Sequence, residues 1–171
     1  MIRLANMNEI EQIMKIKDEA VALMNGEGNF QWDEHYPSRE SFIRFIERNE
    51  LYVYASGEIA VAMIVITKEQ DPWYESASWS VKDNYIVLHR LAVIKEYHHK
   101  GLAVKLLEFS IDFAKKNGVD IIKADTYSRN RRMPNLFRKM GFEYVGEIYF
   151  NQMPDPYLCF ELVLDKQSSL T

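Results

Sequence analysis

Between residues 87 and 107 the chain reads VLHRLAVIKEYHHKGLAVKLL. Val87 to Val93 is apolar and β-prone, and Lys95 to Lys100 is polar and ends on Gly101. From Ala103 the apolar residues Ala103, Leu106, Leu107, Ile111 and Ala114 fall on one face of a helix. The stretch therefore reads as strand, polar turn, helix. The first turn of a helix carries N–H groups without partners and the positive end of the dipole, so a strand running into it makes a phosphate site. Gly101 removes the Cβ at closest approach, and Ala103 is nearly as small. The same pattern also suits an ordinary strand–turn–helix connection, and one glycine does not choose between them.

Other side chains invite chemical readings. His98 and His99, beside Glu96, are adjacent and point apart in an extended turn, and no third ligand is spaced to join them, so no metal is expected. Arg129, Arg131 and Arg132 flank Asn130 and form either a solvated helix start or a contact for phosphates or an acidic group. Phe30, Trp32 and Tyr36 lie in a polar loop, where they either anchor it to the core or line a substrate pocket. Cys159, the lone cysteine, reads as a small apolar residue of a strand.

The elements that must position these residues follow in order. Met1–Leu4 reads as an edge strand, and Asn8 as the cap of a helix that Asn25-Gly26 ends. Glu27–Pro37 reads as loop, and Ser38 as the cap of a second helix. Leu51–Ala55 and Ile59–Thr67 form a hairpin signal, with Ala60–Ile66 apolar enough to be central. Lys68–Asn84 has no clear period and reads as a long connection, open to continuing the hairpin at either end. Tyr85–Val93, the helix Gly101–Asn117 and Ile121–Thr126 imply a right-handed parallel crossover. A short helix over Pro134–Met140 and strands over Glu143–Phe150 and Tyr157–Leu164 complete the chain, and the polar tail from Lys166 is expected to fray.

With 171 residues, the chain is most simply one domain, residues 1–171. A formal charge of -4 with only local basic clusters argues against general nucleic-acid binding. No apolar run is long enough to span a bilayer, the N-terminus has no signal-peptide core, and one cysteine fits a reducing compartment, so a cytoplasmic location is expected. No Gly-x-x-x-x-Gly-Lys-Ser/Thr string marks a nucleotide hydrolase.

Leu91-Ala92-Val93 followed by His98-His99-Lys100-Gly101-Leu102-Ala103 resembles the cofactor motif of the GNAT superfamily of acetyl-CoA-dependent N-acetyltransferases. His98 stands where Gln or Arg is usual. A second GNAT-like pattern runs through Asn130, Met133, Leu136, Phe137 and Gly141-Phe142, with Phe137 in place of the usual tyrosine. The resemblance implies an α+β, three-layer fold: a mixed, mostly antiparallel sheet of about seven strands with a central splayed parallel pair, and about four helices.

It also implies a chemistry. Pantetheine would insert between Tyr85–Val93 and Ile121–Thr126, bonded by the backbone of Leu91 and Val93. The amides from His98 through His99, Lys100, Gly101, Leu102 and Ala103 to Val104 would hold the pyrophosphate. Asn130 and Met133 would border the pantetheine arm, and Phe137 would pack near the sulfur. An amine of a small molecule or peptide would attack the acetyl thioester directly, with Trp32 and Tyr36 beside it. His89 is the expected base: two residues before Leu91 it should face the side of Leu91 and Val93, and an unperturbed pKa near 6.5 suits proton transfer. Phe137 lacks a hydroxyl, so either Tyr127 protonates the leaving thiolate or the thiolate leaves unaided. A non-catalytic acyl-CoA-binding sensor is the alternative. Many members of the family pair as dimers, which leaves a homodimer open.

Overall fold

The computed structural model describes residues 1–81, 83–150 and 153–165; the tail from Lys166, expected to fray, lies outside them. Seven strands form one sheet in the order β1 (Ile2–Leu4), β2 (Leu51–Ser56), β3 (Ile59–Thr67), β4 (Tyr85–Val93), β5 (Ile121–Tyr127), β7 (Tyr157–Val163) and β6 (Glu143–Ile148). Every neighbouring pair is antiparallel except β4 and β5. The helices are α1 (Ile10–Gly26), α2 (Arg39–Glu47), α3 (Leu102–Lys116) and α4 (Met133–Lys139). The α+β expectation, with a parallel pair at the sheet's centre, holds.

Asn6, not Asn8, caps the entry to the first helical segment. Its side chain accepts from the Asn8 amide, and the Glu9 carboxylate accepts from the Asn6 amide in return. This reciprocal pairing needs an acidic residue three positions on; Glu9 supplies it for Asn6, whereas Glu11, three beyond Asn8, is taken up by Arg39. Ser38 caps α2 as expected, accepting from the Ser41 amide at 3.2 Å.

β3 is buried along nearly its whole length and touches both α1 and α3, so its two faces are covered by different helices. Tyr52 of β2, paired with Ile64, packs on Phe109 and Phe113 and marks the α3 face. β4 carries a bulge against β3: Val65 pairs with His89 and Met63 with Ala92, so two residues, Arg90 and Leu91, stand opposite Ile64 alone. Arg90 takes a left-handed φ of 58° there. Cross-strand partners share a face, as do residues two apart on a regular strand. His89 therefore lies with Ala92 on the α1 face, whereas Val93, paired with Ala62, lies on the α3 face. The expectation that His89 faces the same side as Val93 fails because the bulge interrupts the alternation on which it rested.

Among its described residues, 68–81 and 83–84, the connection after β3 does not prolong the hairpin. It folds across the C-terminal half of the sheet, where its short 3-10 turn, Pro72–Ser76, packs against β6. Tyr74 is fully buried with Val87, Ile148 and Cys159, and Trp79 stacks on it at 5.2 Å. Polar clasps complete the cover: the Ser80 amide donates to Glu161 at 2.9 Å, and Lys123 Nζ donates to Gln70 at 2.8 Å.

Candidate active site

A cavity of about 1080 Å³ reaches from the start of α3, past β4 and β5, to the loop between α1 and α2. At its α3 end the turn holds two left-handed residues, His99 (φ 61°) and Gly101 (φ 75°). Turns of this kind set successive N–H groups around one concavity. The first bond of α3 runs from the Lys105 amide to the Gly101 carbonyl at 3.0 Å, so the amides of Leu102, Ala103 and Val104 precede it. No acidic residue sits in that first turn. His98, His99, Gly101, Leu102, Ala103 and Val104 all line the cavity, while Lys100 lies beside it with Nζ 4.4 Å from the Tyr97 ring centre.

One expected donor is already spent. The His98 amide donates to the Lys95 carbonyl at 3.1 Å, which removes it from the set of free amides. Its ring Nε2 lies 2.8 Å from the Val93 carbonyl, and because a carbonyl only accepts, that nitrogen carries the proton. His98 thus acts as a buttress between the end of β4 and the turn.

The middle of the cavity is a gap in the sheet. Parallel pairing of β4 with β5 ends at Leu88 and Ala124. β4 continues to Val93 on β3, and β5 continues to Tyr127 on β7. Beyond Leu88 and Ala124 the two backbones diverge without a ladder. Leu91, Ala92, Val93, Thr126, Asn130, Met133 and Phe137 line the slot. Asn130 uses its side-chain oxygen to accept from the Arg132 and Met133 amides, at 3.1 and 3.2 Å, and so starts α4. Phe137 is anchored against Phe142 and Phe160, with ring centres at 5.3 and 5.2 Å. Arg129 pairs with Asp155 at 2.6 Å and Arg132 with Glu27.

The far wall is made of side chains from five separate segments. His89 and Asp125 project from the same face, since Val87 pairs with Lys123 and each lies two residues away. Tyr74 donates its hydroxyl to Asp125, and its ring lies 6.4 Å from His89. Arg90 packs its guanidinium over Tyr36 at 4.9 Å and Trp32 at 6.0 Å, and Nη2 donates to the Tyr36 hydroxyl at 3.1 Å. Trp32 and Tyr36 do line the cavity, joined by Tyr157. The loop that carries them is pinned: Lys17, fully buried, donates to the Glu34 carbonyl at 2.9 Å, and Asp33 accepts from the His35 and Tyr36 amides at 2.7 Å.

Electrostatics divide the two ionisable residues at the slot. Burial, with the Arg90 charge beside it, pulls His89 down to about 3 against the weaker pull of the Glu69 carbonyl, so the imidazole stays neutral. Burial pushes Asp125 up to about 6, although the Tyr74 hydroxyl and Arg90 both favour its charged form. The near-neutral group is thus the carboxylate, which sequence reading passed over as one residue of the strand IIKADTY. Tyr127 is removed from the cavity wall: it is 2% exposed and its hydroxyl donates to Asp155 at 3.1 Å. Among the described residues no three His, Cys, Asp or Glu side chains are placed to hold a metal ion, and no helix is long and apolar enough to cross a membrane.

Comparison with known proteins agrees with this geometry. The family model for the Acetyltransferase (GNAT) family matches residues 10–142. The uncharacterized N-acetyltransferase YesJ of Bacillus subtilis (strain 168) is 26% identical over 106 residues, which span 59% of this chain and 57% of that protein. The chain is thus aligned with little more than half of that relative. The crystal structure of a GNAT acetyltransferase from Streptococcus agalactiae 2603 superposes with a TM-score of 0.85 at 26% identity, covering 97% of this chain and 96% of that one. The PaiA N-acetyltransferase of Thermoplasma acidophilum, solved in complex with coenzyme A, shares the fold at a TM-score of 0.71 and 16% identity, over 96% of this chain and 98% of that one. By fold, by motif and by the span of the family match, the chain belongs to the GNAT acetyltransferase family.

Proposed function

We propose that the protein transfers the acetyl group of acetyl-CoA directly to a primary amine. The observation that carries the reading is the slot: a parallel pair that stops at Leu88 and Ala124, with free helix-start amides on one side and an ionisable wall on the other. The amides from His99 to Val104 hold the pyrophosphate. Pantetheine takes the missing ladder position beside Leu91, Ala92 and Val93, with Asn130 and Met133 along the arm and Phe137 near the sulfur. The acceptor enters from the wall that bears Trp32 and Tyr36.

The amine must be neutral to attack. Asp125, ionised above pH about 6, receives its proton. His89 is the weaker choice: with its pKa near 3 it takes a proton from an ammonium much less readily than Asp125 does. The amine nitrogen forms a bond to the carbonyl carbon, the oxyanion is met by backbone N–H at the end of β4, the nitrogen gives its second proton to water, and collapse of the oxyanion breaks the C–S bond to leave the amide and the thiolate. Phe137 offers no proton and the Tyr127 hydroxyl is committed to Asp155, so the thiolate leaves without a dedicated acid and takes its proton from water. A thiol is acidic enough for that, with a pKa of about 8.5.

The test is thiol release from acetyl-CoA across a panel of primary amines. Saturable, amine-dependent release is expected. Tight acetyl-CoA binding with no release by any amine would instead establish the non-catalytic sensor.

A further inference from the structure

Resting on that transferase reading, we infer that the acceptor is a small amine that also carries a carboxylate, and that Arg90 holds the carboxylate. The residue is built to point where it does. A left-handed backbone is costly for a side chain with a Cβ, yet Arg90 adopts it (φ 58°) at the bulge that turns β4 against the slot. The Tyr36 and Trp32 rings and the Tyr36 hydroxyl then fix the guanidinium in the cavity wall.

What it lacks is a carboxylate in contact: Asp125 feels its charge but forms no ion pair with it. Arg3, Arg39, Arg48, Arg129 and Arg132 each sit against a carboxylate. Among the described residues Arg90 forms no such pair, and its Nε–H is buried without a hydrogen-bond partner. A buried donor on a cation is expensive to leave unpaired, so a site that keeps one is complete only when something accepts from it. The flat fork of a guanidinium matches a carboxylate in particular.

The negative group of the wall is placed for the other end of the same molecule. Asp125 shares the α1 face of the sheet, lies on the strand across the slot and takes the amine proton. Of the other carboxylates lining the cavity, Glu27 and Glu69 pair with Arg132 and Arg48, and Asp33 and Asp71 accept from backbone amides. Arg90, without a salt bridge, and Asp125 across the slot suit a zwitterion: amine toward Asp125, carboxylate toward Arg90. A purely cationic amine would leave the Arg90 donor unpaired and add a second positive charge beside it. The substrate class is therefore the free amino acids and related amino-carboxylates.

Two measurements separate this inference from the reading beneath it. In the first, thiol release is followed with amino acids, their primary amides and their decarboxylated amines. The acids are expected to exceed both analogues in kcat/KM by roughly 10- to 100-fold, the span of a charged hydrogen bond. Arg90→Gln should shrink that ratio to within about threefold of one, mainly through KM, and Arg90→Lys should keep part of it. In the second, calorimetry follows binding of N-acetyl amino acids and their amides with coenzyme A present. Binding of the acids alone, lost in Arg90→Gln, is expected. If amides or decarboxylated amines turn over as well as the acids, and the N-acetyl acids bind no better than their amides, the carboxylate anchor is wrong and the transferase stands. If no amine releases thiol but the acids still bind through Arg90, the anchor stands and the transferase reading fails.

Discussion

The wall at the start of α3 presents backbone, whereas the wall formed by the β4 bulge, β5, β7 and the 27–37 loop presents ionisable and aromatic side chains. On the first wall the working groups are amides that precede the Lys105–Gly101 bond and strand edges left unpaired beyond Leu88 and Ala124. Almost any side chain can ride on such groups, provided the left-handed turn and the small residues remain. His98 can stand where the family usually has Gln or Arg because its ring braces Val93, and the proposed phosphate site does not depend on it. On the second wall each function belongs to one side chain. Arg90, Asp125, Tyr157 and Tyr74 come from three strands and a connection far apart in the chain, and the proposed chemistry rests on the first two. On the proposed reading the donor is recognised by shape that many sequences can make, and the acceptor by charges specific to this one.

The comparison breaks most sharply at Asp125. Asp125→Asn removes the proton acceptor but keeps the Tyr74 contact in near-isosteric form. It is expected to lower kcat/KM for the amine by roughly 100- to 10,000-fold, the usual range for a general base. Acetyl-CoA affinity, measured by calorimetry, should move by less than about threefold. Equal losses in both would mean that the two walls are one site and that the division drawn here is false.

Gly101 probes the other wall, with a smaller effect. A Cβ there meets nothing within 4 Å of the protein itself, so the cost comes from the φ of +75° and from crowding the anion. Gly101→Val should weaken acetyl-CoA binding by about tenfold, with amine KM nearly unchanged. Gly101→Asn, which tolerates a left-handed backbone, should recover much of the affinity. Undiminished affinity in Gly101→Val would move the phosphate away from this turn.

The same division explains what could be read from the sequence. Strand β4, helix α3 and the turn between them were legible because the apolar period changes from strand to helix across one glycine. The slot was legible by resemblance, because both partner motifs survive in recognisable form. The bulge was not: Leu88–Val93 offers no glycine or proline to mark it, and Arg90 pays a left-handed φ that no local pattern signals. Without the bulge, alternation placed His89 on the wrong face. Asp125 was hidden for a different reason. One carboxylate in a strand is normally a surface residue, and only the fold of the connection after β3, which lays the fully buried Tyr74 against it, half-buries this one. That connection has no period to read, since it is held by Tyr74, Trp79 and clasps to Glu161 and Lys123 rather than by a repeating face.

The smallest effect on turnover should come from His89, and its larger signature is in stability. The folded imidazole titrates near 3, and an exposed one near 6.5. Between those values the unfolded chain binds a proton that the folded chain does not, so His89 makes stability fall as pH drops from 6.5 toward 3. Asp125, next to Tyr74, Arg90 and Asp71, acts in the opposite sense. Its folded carboxyl stays protonated up to about 6, against 3.8 when exposed, so its contribution falls as pH rises across that window. From pH 3.8 to 6 the two slopes, each up to about 1.4 kcal/mol per pH unit, oppose one another in the native protein. His89→Gln leaves Asp125 alone: its acid-unfolding midpoint, followed by circular dichroism, should move to lower pH, while kcat changes by less than about tenfold. Asp125→Asn should move the midpoint the other way. A kcat loss in His89→Gln as large as that of Asp125→Asn, with no shift of the acid midpoint, would return the role of base to the histidine.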